Sequence, residues 1–222
     1  MSDRMKDIIR RTLVMLPDIP VMALGVAMYT FANLGGDPFT SFQQGISLRT
    51  GIPMGYSSMA CNIGILIIFL FINRKMIHVG SIVFSFGLGP FINLWLALFE
   101  KIFPNGLEGN PVVRYLFPII GTLVIIVTLA YYLPIDLGIQ ALDMIAITIG
   151  EKLLHKTYGW GLYITYGVMF VIAILMGAPW GFGTLVATFC VGKGVDIVRP
   201  RIAPTIQKWC GIKPAASTAE NS

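Results

Sequence analysis

Ionisable and amide side chains are scarce inside the apolar stretches of this chain, so each one present is a candidate for chemistry. Asp143 stands in the run ALDMIAITI, Asp196 in CVGKGVDIVRPR, and Asn93 in an apolar run of its own. Asp37, Thr40, Gln43 and Gln44 gather in GDPFTSFQQG. A carboxylate in hydrocarbon surroundings costs roughly 2.5–3.5 kcal/mol, and the chemistry that repays it is proton exchange or recognition of an ion or polar solute. Each residue also has a plainer reading. Asp143 falls near the start of a helical pattern, where the helix dipole favours an acid at headgroup level, and both readings stay open. Asp196 lies three residues from both Lys193 and Arg199 and can pair with either at the surface. That pairing is preferred, although Asn93 would face inward in a related position. Thr40, Gln43 and Gln44 form a polar face beside Asp37-Pro38 that lines a vestibule or meets water.

Other polar positions are read structurally. Asp136 is expected to cap the helix that follows it. Asp18, between Pro17 and Pro20, marks a break where two backbone donors are missing. It either lines a cavity or, as preferred, lies along the interface ahead of a span beginning after Pro20. Arg49 and Lys152 are expected to snorkel to headgroups. His78 and His155 are single and far apart, and Cys61, Cys190 and Cys210 are an unclustered, odd set. No metal-ligand spacing, disulfide framework or nucleophile–base pair follows from them. The expectation is no catalytic residue, no metal, no cofactor and no enzyme.

The elements that carry these residues follow from composition. Of 222 residues, 55 % are hydrophobic and only 12 % charged, about half the share of charge in a soluble domain. Such a chain cannot clothe a water-facing surface, so it is expected to lie in a lipid bilayer. Six apolar segments are visible, at 12–33, 55–73, 79–99, 113–134, 161–177 and 182–198. Residues 1–11 and the run after them resemble a signal sequence, but the run is too long for one and reads as an uncleaved first span. Two further segments, 38–50 and 140–155, are shorter or more polar. A helix of 13 residues covers only about 20 Å and cannot cross, so both are expected to be interfacial or re-entrant. With the N-terminus inside, 13 of the 16 basic residues fall on the cytoplasmic side, leaving Arg49, Lys101 and Arg114 outside, as the positive-inside rule asks. Lys152, Lys156 and Lys213 count among the 13. The net charge of +5 therefore reflects topology and gives no ground for a nucleic-acid partner.

The chain also repeats itself. At an offset of 103, Leu34-Gly35 falls on Leu137-Gly138, Asn33 on Asp136, Arg49 on Lys152, Gly80 on Gly183, Gly89 on Gly192 and Asn93 on Asp196. Each half reads span, short helix, span, span. Three spans per half force the halves to insert in opposite orientations, an arrangement common in secondary transporters. Small residues at four-residue spacing (Ser81, Ser85, Gly89; Gly183, Ala187) mark faces for close helix packing.

The stretch Leu34 to Thr40, with Gly45 to Gly51 and Gly55, resembles the YczE/YyaS/YitT-like family of bacterial membrane proteins. Leu137-Gly138, Asp143, Gly181 to Thr184, Gly192 and Asp196 support the likeness, which covers about residues 12–200. Its most specific part is Ser47-Leu48-Arg49-Thr50-Gly51. Family members often carry an acid where this chain has Thr40, so here the acidic group survives only at Asp143. The resemblance implies a multi-pass protein of the bacterial cytoplasmic membrane and supplies no substrate.

The expected fold is thus all-α. It comprises a cytoplasmic segment 1–11, membrane repeats 12–103 and 113–201, and a tail 202–222, disordered from about 213. The expected function is a small-solute permease or secondary transporter. Asp143, Thr40, Gln43, Asn93, Asp196 and Asp37 would contact the solute or ion, with both termini cytoplasmic. The alternative is a non-transporting accessory protein whose small-residue faces bind another membrane protein.

Overall fold

A computed structural model describes residues 3–138, 140–155 and 158–212. Lys156 and the tail from residue 213 lie outside the described residues. All regular elements among the described residues are helical. They are α1 (Asp3–Met15), α2 (Asp18–Ala32), α3 (Pro38–Thr50), α4 (Met54–Ile72), α5 (Val79–Ile102), α6 (Pro111–Tyr132), α7 (Ala141–Ile147), α8 (Tyr158–Leu175) and α9 (Phe182–Cys210). A π turn, Thr148–Leu153, continues α7 directly. The expected segment 38–50 coincides with α3, while 140–155 divides between α7 and its π turn.

Local chemistry sets these bounds. Pro17 separates α1 from α2, because its ring offers no N–H to continue the ladder. Asp37 caps α3, Pro38 takes the first helical position, and Gly51 closes the helix at φ 72°, the positive φ that glycine tolerates best. Asn110 caps α6 by accepting from the Val113 N–H at 3.3 Å, and Pro111 follows it. Asp136 does not play the capping role expected of it. It ends the turn after α6 in a left-handed conformation (φ 52°), and Gln140 occupies the cap position of α7. The left-handed bend at Asp136 turns the chain before α7 can begin.

Among the described residues, four helices are long and apolar enough to cross a bilayer: Met5–Ala32, Met54–Ile72, Val79–Ile102 and Pro111–Ile135. Residues 160–175 of α8 form a shorter apolar helix, and α9 is long but carries Lys193, Asp196, Arg199, Arg201 and Lys208. The distribution of side chains is that of a protein in lipid. Phe71 is 87 % exposed and Phe189 68 %, whereas Ser41, Ser57, Ser58, Ser81, Ser85, Thr122 and Thr128 are buried. Lipid tails are as apolar as phenylalanine, so helices associate through small residues and internal hydrogen bonds.

The helices pack in two groups. In the first, α2 lies between α5 and α6, and α9 packs on α6. Glycines set the central crossing: a Cβ on Gly25 would stand 3.1 Å from the Gly121 carbonyl oxygen, and one on Gly121 at 3.1 Å from that of Gly25. Met15, Ile19, Tyr29, Ile92 and Ile135 fill the core around it, and Phe31, Phe99, Phe103 and Phe117 form an aromatic cluster nearby. In the second group the contacts run in a closed circuit, α3 to α4, α4 to α7, α7 to α8 and α8 back to α3. The two groups join where α4 packs on α5 through Gly55 and Gly89, whose backbones leave no room for a Cβ on either residue. At the matching place in the second half, Gly192 has no described atom within 4 Å of where its Cβ would be.

Arginines finish the helix ends. Arg49 donates to the carbonyls of Met176 (3.0 Å) and Leu175 (3.1 Å), at the end of α8. The expectation that it snorkels to headgroups is corrected by this, because the open carbonyls of a helix C-terminus are nearer and fit its fork. Arg114 donates to the Ala32 carbonyl at the end of α2, and Arg10 to the carbonyls of Lys208 and Trp209 at the end of α9.

Gly89→Ala should part α4 from α5, because its Cβ would meet the Gly55 carbonyl oxygen and the Met59 Cβ, neither of them the free end of a flexible side chain, and cost about 1–3 kcal/mol. Gly192→Ala, in open space within a helix, should be neutral or gain up to about 1 kcal/mol. Melting of the two variants in detergent checks the contrast.

Candidate functional site

At the start of α3, Asp37 accepts three hydrogen bonds within its own first turn. Its Oδ1 takes the N–H groups of Phe39 and Thr40, both at 3.0 Å, and its Oδ2 takes the Thr40 hydroxyl. The helix start uses the whole carboxylate, so Asp37 and Thr40 act first as a cap. Gln43, one turn later, is 2 % exposed and Gln44 5 %. The polar face of α3 is therefore turned into the protein and away from water. The Ser47-to-Gly51 stretch ends the same helix: the Ser47 hydroxyl donates to the Ile52 carbonyl (2.7 Å), the Thr50 hydroxyl to that of Ile46, and Arg49 reaches α8.

Asp143 stands in the first turn of α7 and is part-buried. It matches Thr40 at the offset of 103, and Gln140 matches Asp37. Both cap residues have nearly the same backbone angles, φ −61°, ψ 157° at Asp37 and φ −65°, ψ 154° at Gln140. An acid thus stands at the cap position of α3 and in the first turn of α7.

Six buried polar side-chain atoms lack a hydrogen-bond partner among the described residues: Asp18 Oδ2, Gln44 Oε1, Ser58 Oγ, Asn93 Nδ2, Gln140 Nε2 and Thr148 Oγ1. Buried polar groups are normally paired, and each exception needs a reason. Gln44, Ser58, Gln140 and Thr148 belong to α3, α4 and the α7 segment, all members of the closed circuit. Asp37, Thr40, Gln43 and Asp143 lie on its two short helices. The circuit α3–α4–α7–α8 is thus where unmet polarity collects, and we take it as the candidate site. Its inventory of amide and hydroxyl groups with two acids, of which Asp37 is committed to its own helix start, suits a small, mainly neutral or cationic polar ligand.

The remaining two expected residues lie elsewhere. Asn93 sits on α5, where its Oδ1 accepts the Gly55 N–H at 2.8 Å and so satisfies a donor orphaned at the start of α4. Asp196 is exposed on α9, and among the described residues it forms no salt bridge with Lys193 or Arg199. An inward position like that of Asn93 is not realised, because α8 does not pack on α9 as α4 packs on α5. Ser58, Gln140 and Thr148 were not singled out by sequence. For Gln140 the signal was available, since the 103-residue offset places it on Asp37. Ser58 and Thr148 read as ordinary packing residues, and nothing in their spacing sets them apart.

Comparison with known proteins gives a family and no activity. The sequence pattern of a family of unknown function (DUF6198) matches residues 9–200. A protein of Bacillus subtilis (strain 168) described as "Uncharacterized protein YyaS" is 26 % identical over 175 residues, covering 78 % of this chain and 84 % of that protein. These matches support the YyaS-like part of the resemblance drawn from sequence. No solved structure matches.

Removing the cap tests its local role. Asp37→Ala should cost about 1 kcal/mol, within the 0.5–2 range of lost N-caps. A double-mutant cycle with Thr40→Val should give a coupling of about 0.5 kcal/mol or more. Melting in detergent reads both.

Proposed function

The chain belongs to DUF6198, a family of unknown function, and we propose that it is a small-solute permease or secondary transporter of the bacterial cytoplasmic membrane. In this reading six spans form two inverted halves, both termini are cytoplasmic, and the solute sits within the α3–α4–α7–α8 circuit. Kinship with YczE-like and YitT-like proteins belongs to the same proposal, and no catalytic residue is assigned.

The observation that carries the reading is the set of unpartnered buried polar atoms on that circuit, at the junction between the halves. A solute is the natural partner for groups that the protein itself leaves unmet. Inverted symmetry supports it through reciprocal bonds. The Gly80 N–H donates to the Leu137 carbonyl at 3.1 Å, and the Gly183 N–H to the Leu34 carbonyl at 3.0 Å. The offset of 103 that carries Gly80 onto Gly183 also carries Leu34 onto Leu137, so each half gives the other the same bond. Asn33 and Asp136, likewise related, share the left-handed conformation (φ 54° and 52°), as do Gly35 and Gly138 in their positive φ. Such exchange is what a pseudo-two-fold axis in the membrane plane produces.

The grouping of contacts supports six crossings. Arg114 with Ala32, Arg49 with Met176 and Gly183 with Leu34 belong together at the outer end. Arg10 with Trp209, Arg11 with Asp136 and Gly80 with Leu137 belong at the inner end. The unequal packing of α4 on α5 and of α8 near α9 fits a transporter held with one half closed and the other open.

Two measurements test this. Single cysteines at Thr50 and Leu153, equivalent and exposed positions, placed in a background with Cys61, Cys190 and Cys210 replaced by serine, should label from opposite faces of the membrane. Labelling from one face removes the inverted repeat. A thermal-shift screen against metabolites and ions should yield a ligand that stabilises the protein by about 2.7 kcal/mol at 100 times its Kd and loses its effect in Gln44→Leu or Asp143→Asn. A blank screen together with one co-purifying membrane protein would favour the accessory role.

A further inference from the structure

Asp18 is the buried acid that the candidate site does not use. It opens α2 immediately after the break at Pro17, and it is 4 % exposed. The preferred expectation from sequence, an interfacial position ahead of a span starting after Pro20, does not hold, because α2 starts at Asp18 and packs into the bundle from its first residue. A capping role is absent as well: no side-chain cap bond is made at this helix start, and Oδ2 has no partner among the described residues.

The groups around it come from every neighbouring element. Tyr131 and Tyr132 of α6 lie within electrostatic range of Asp18; α9 brings Cys210 into range of Tyr131, and α7 brings Asp143 into range of Tyr132. Both phenols are committed, Tyr131 donating to the Val14 carbonyl (2.7 Å) and Tyr132 to that of Gly138 (3.1 Å). From α5 the neighbours are Gly87 against Ile19 and the Trp95 indole, which donates to the Pro20 carbonyl. Arg10 and Arg11 of α1 are engaged elsewhere, Arg10 on the end of α9 and Arg11 on Asp7 and the Asp136 carbonyl. An open, apolar cavity of about 300 Å³, lined among others by Val127, Tyr131, Arg201, Thr205, Ile206 and Trp209, brings the outside to Tyr131.

We propose that Asp18 is a reversible proton-binding site in the first span, reached from the inner end of the bundle. A proton is the one cation that a lone carboxyl can bind without help, whereas a metal ion requires several oxygens converging on it. Here the Tyr131 and Tyr132 hydroxyls are committed to backbone carbonyls, and that of Thr128, also on α6, is turned to the Val124 and Ile125 carbonyls. On binding, an O–H bond forms on a carboxylate oxygen and one negative charge is cancelled; on release, water takes the proton. The break at Pro17 leaves α1 and α2 joined by a joint, the kind of discontinuous span in which transporters place coupling-ion sites. Within the transporter reading, on which this last step rests, the proton on Asp18 is the coupling ion.

Infrared difference spectra of the full-length protein, recorded as the pH is stepped, test the site without any solute. The expected result is a protonated-carboxyl C=O band that changes with pH, disappears in Asp18→Asn and moves in frequency in Asp18→Glu. Melting shows whether the amide variant is folded, and if it is not, the frequency shift in Asp18→Glu decides. An unchanged carboxyl band in both variants overturns the proposal. A titrating band with a blank screen and one co-purifying membrane protein would leave the proton site standing and turn the reading to the accessory role; a solute bound with no Asp18 band would keep the transporter reading and remove the proton site.

Discussion

A chain in hydrocarbon cannot leave a backbone N–H or C=O to the solvent, and this constraint decides where every interruption of the helices is placed. The turn at 33–37 exposes the Leu34 carbonyl, and the first turn of α9 covers it through the Gly183 N–H. The bend at 136–138 exposes the Leu137 carbonyl, and the start of α5 covers it through Gly80. Glycine is required on both donor sides: a Cβ on Gly80 would stand 2.6 Å from the Leu137 oxygen, and one on Gly183 would meet the Gly35 oxygen. The short helices α3 and α7 exist because these covered turns let the chain reverse inside the protein.

The same constraint sorts the polar side chains. Serine and threonine hydroxyls are mostly turned onto their own helices, as Ser85 onto the Ser81 carbonyl and Thr165 onto that of Gly161. They are satisfied without a neighbour and serve mainly as small surfaces for packing. Amides cannot all do this, having two ends to satisfy. Asn93 meets Gly55 with its oxygen and leaves its nitrogen unmet, and Gln44 and Gln140 each leave one atom unmet. Half of the unmet atoms among the described residues are therefore amide atoms, the others being Asp18 Oδ2, Ser58 Oγ and Thr148 Oγ1, and most of the six fall on α3, α4 and the α7 segment.

Much of the fold was legible because lipid makes few demands and makes them uniformly. Runs of apolar residues placed α4, α5, α6 and α8 to within a few positions, whereas the first expected segment is two helices, Asp3–Met15 and Asp18–Ala32, and α9 runs on to Cys210, well past the expected 198. The short helix α3 could be bounded because Pro38 and Gly51 are punctuation with a fixed backbone meaning. Positions that depend on a distant partner were not legible. Arg49 looks like a headgroup anchor until the end of α8, more than 120 residues later, is known to lie beside it. Asp136 has the composition of a cap, but the chain must first bend there, and its left-handed angle excludes the role. Asp196 matched Asn93 by register, yet one helix stands close and the other does not, and register carries no information about that. Asp18 was misplaced because two prolines suggest an interface, while the packing of α2 against α5 and α6 draws the break inside.

The bonds across the two halves also bear on how the protein is made. The Leu34 carbonyl finds its donor in Gly183, and the Ala32 carbonyl finds its own in Arg114. At a synthesis rate of about 5–20 residues per second, the first of these partners leaves the ribosome roughly 7–30 s after the turn it covers. For that interval the first half is a nascent chain with an open reversal, held by the translocation machinery or by water. A gene fragment ending before Gly183 would lack the donor that covers the Leu34 carbonyl, and one beginning after Gly80 would lack the donor that covers the Leu137 carbonyl.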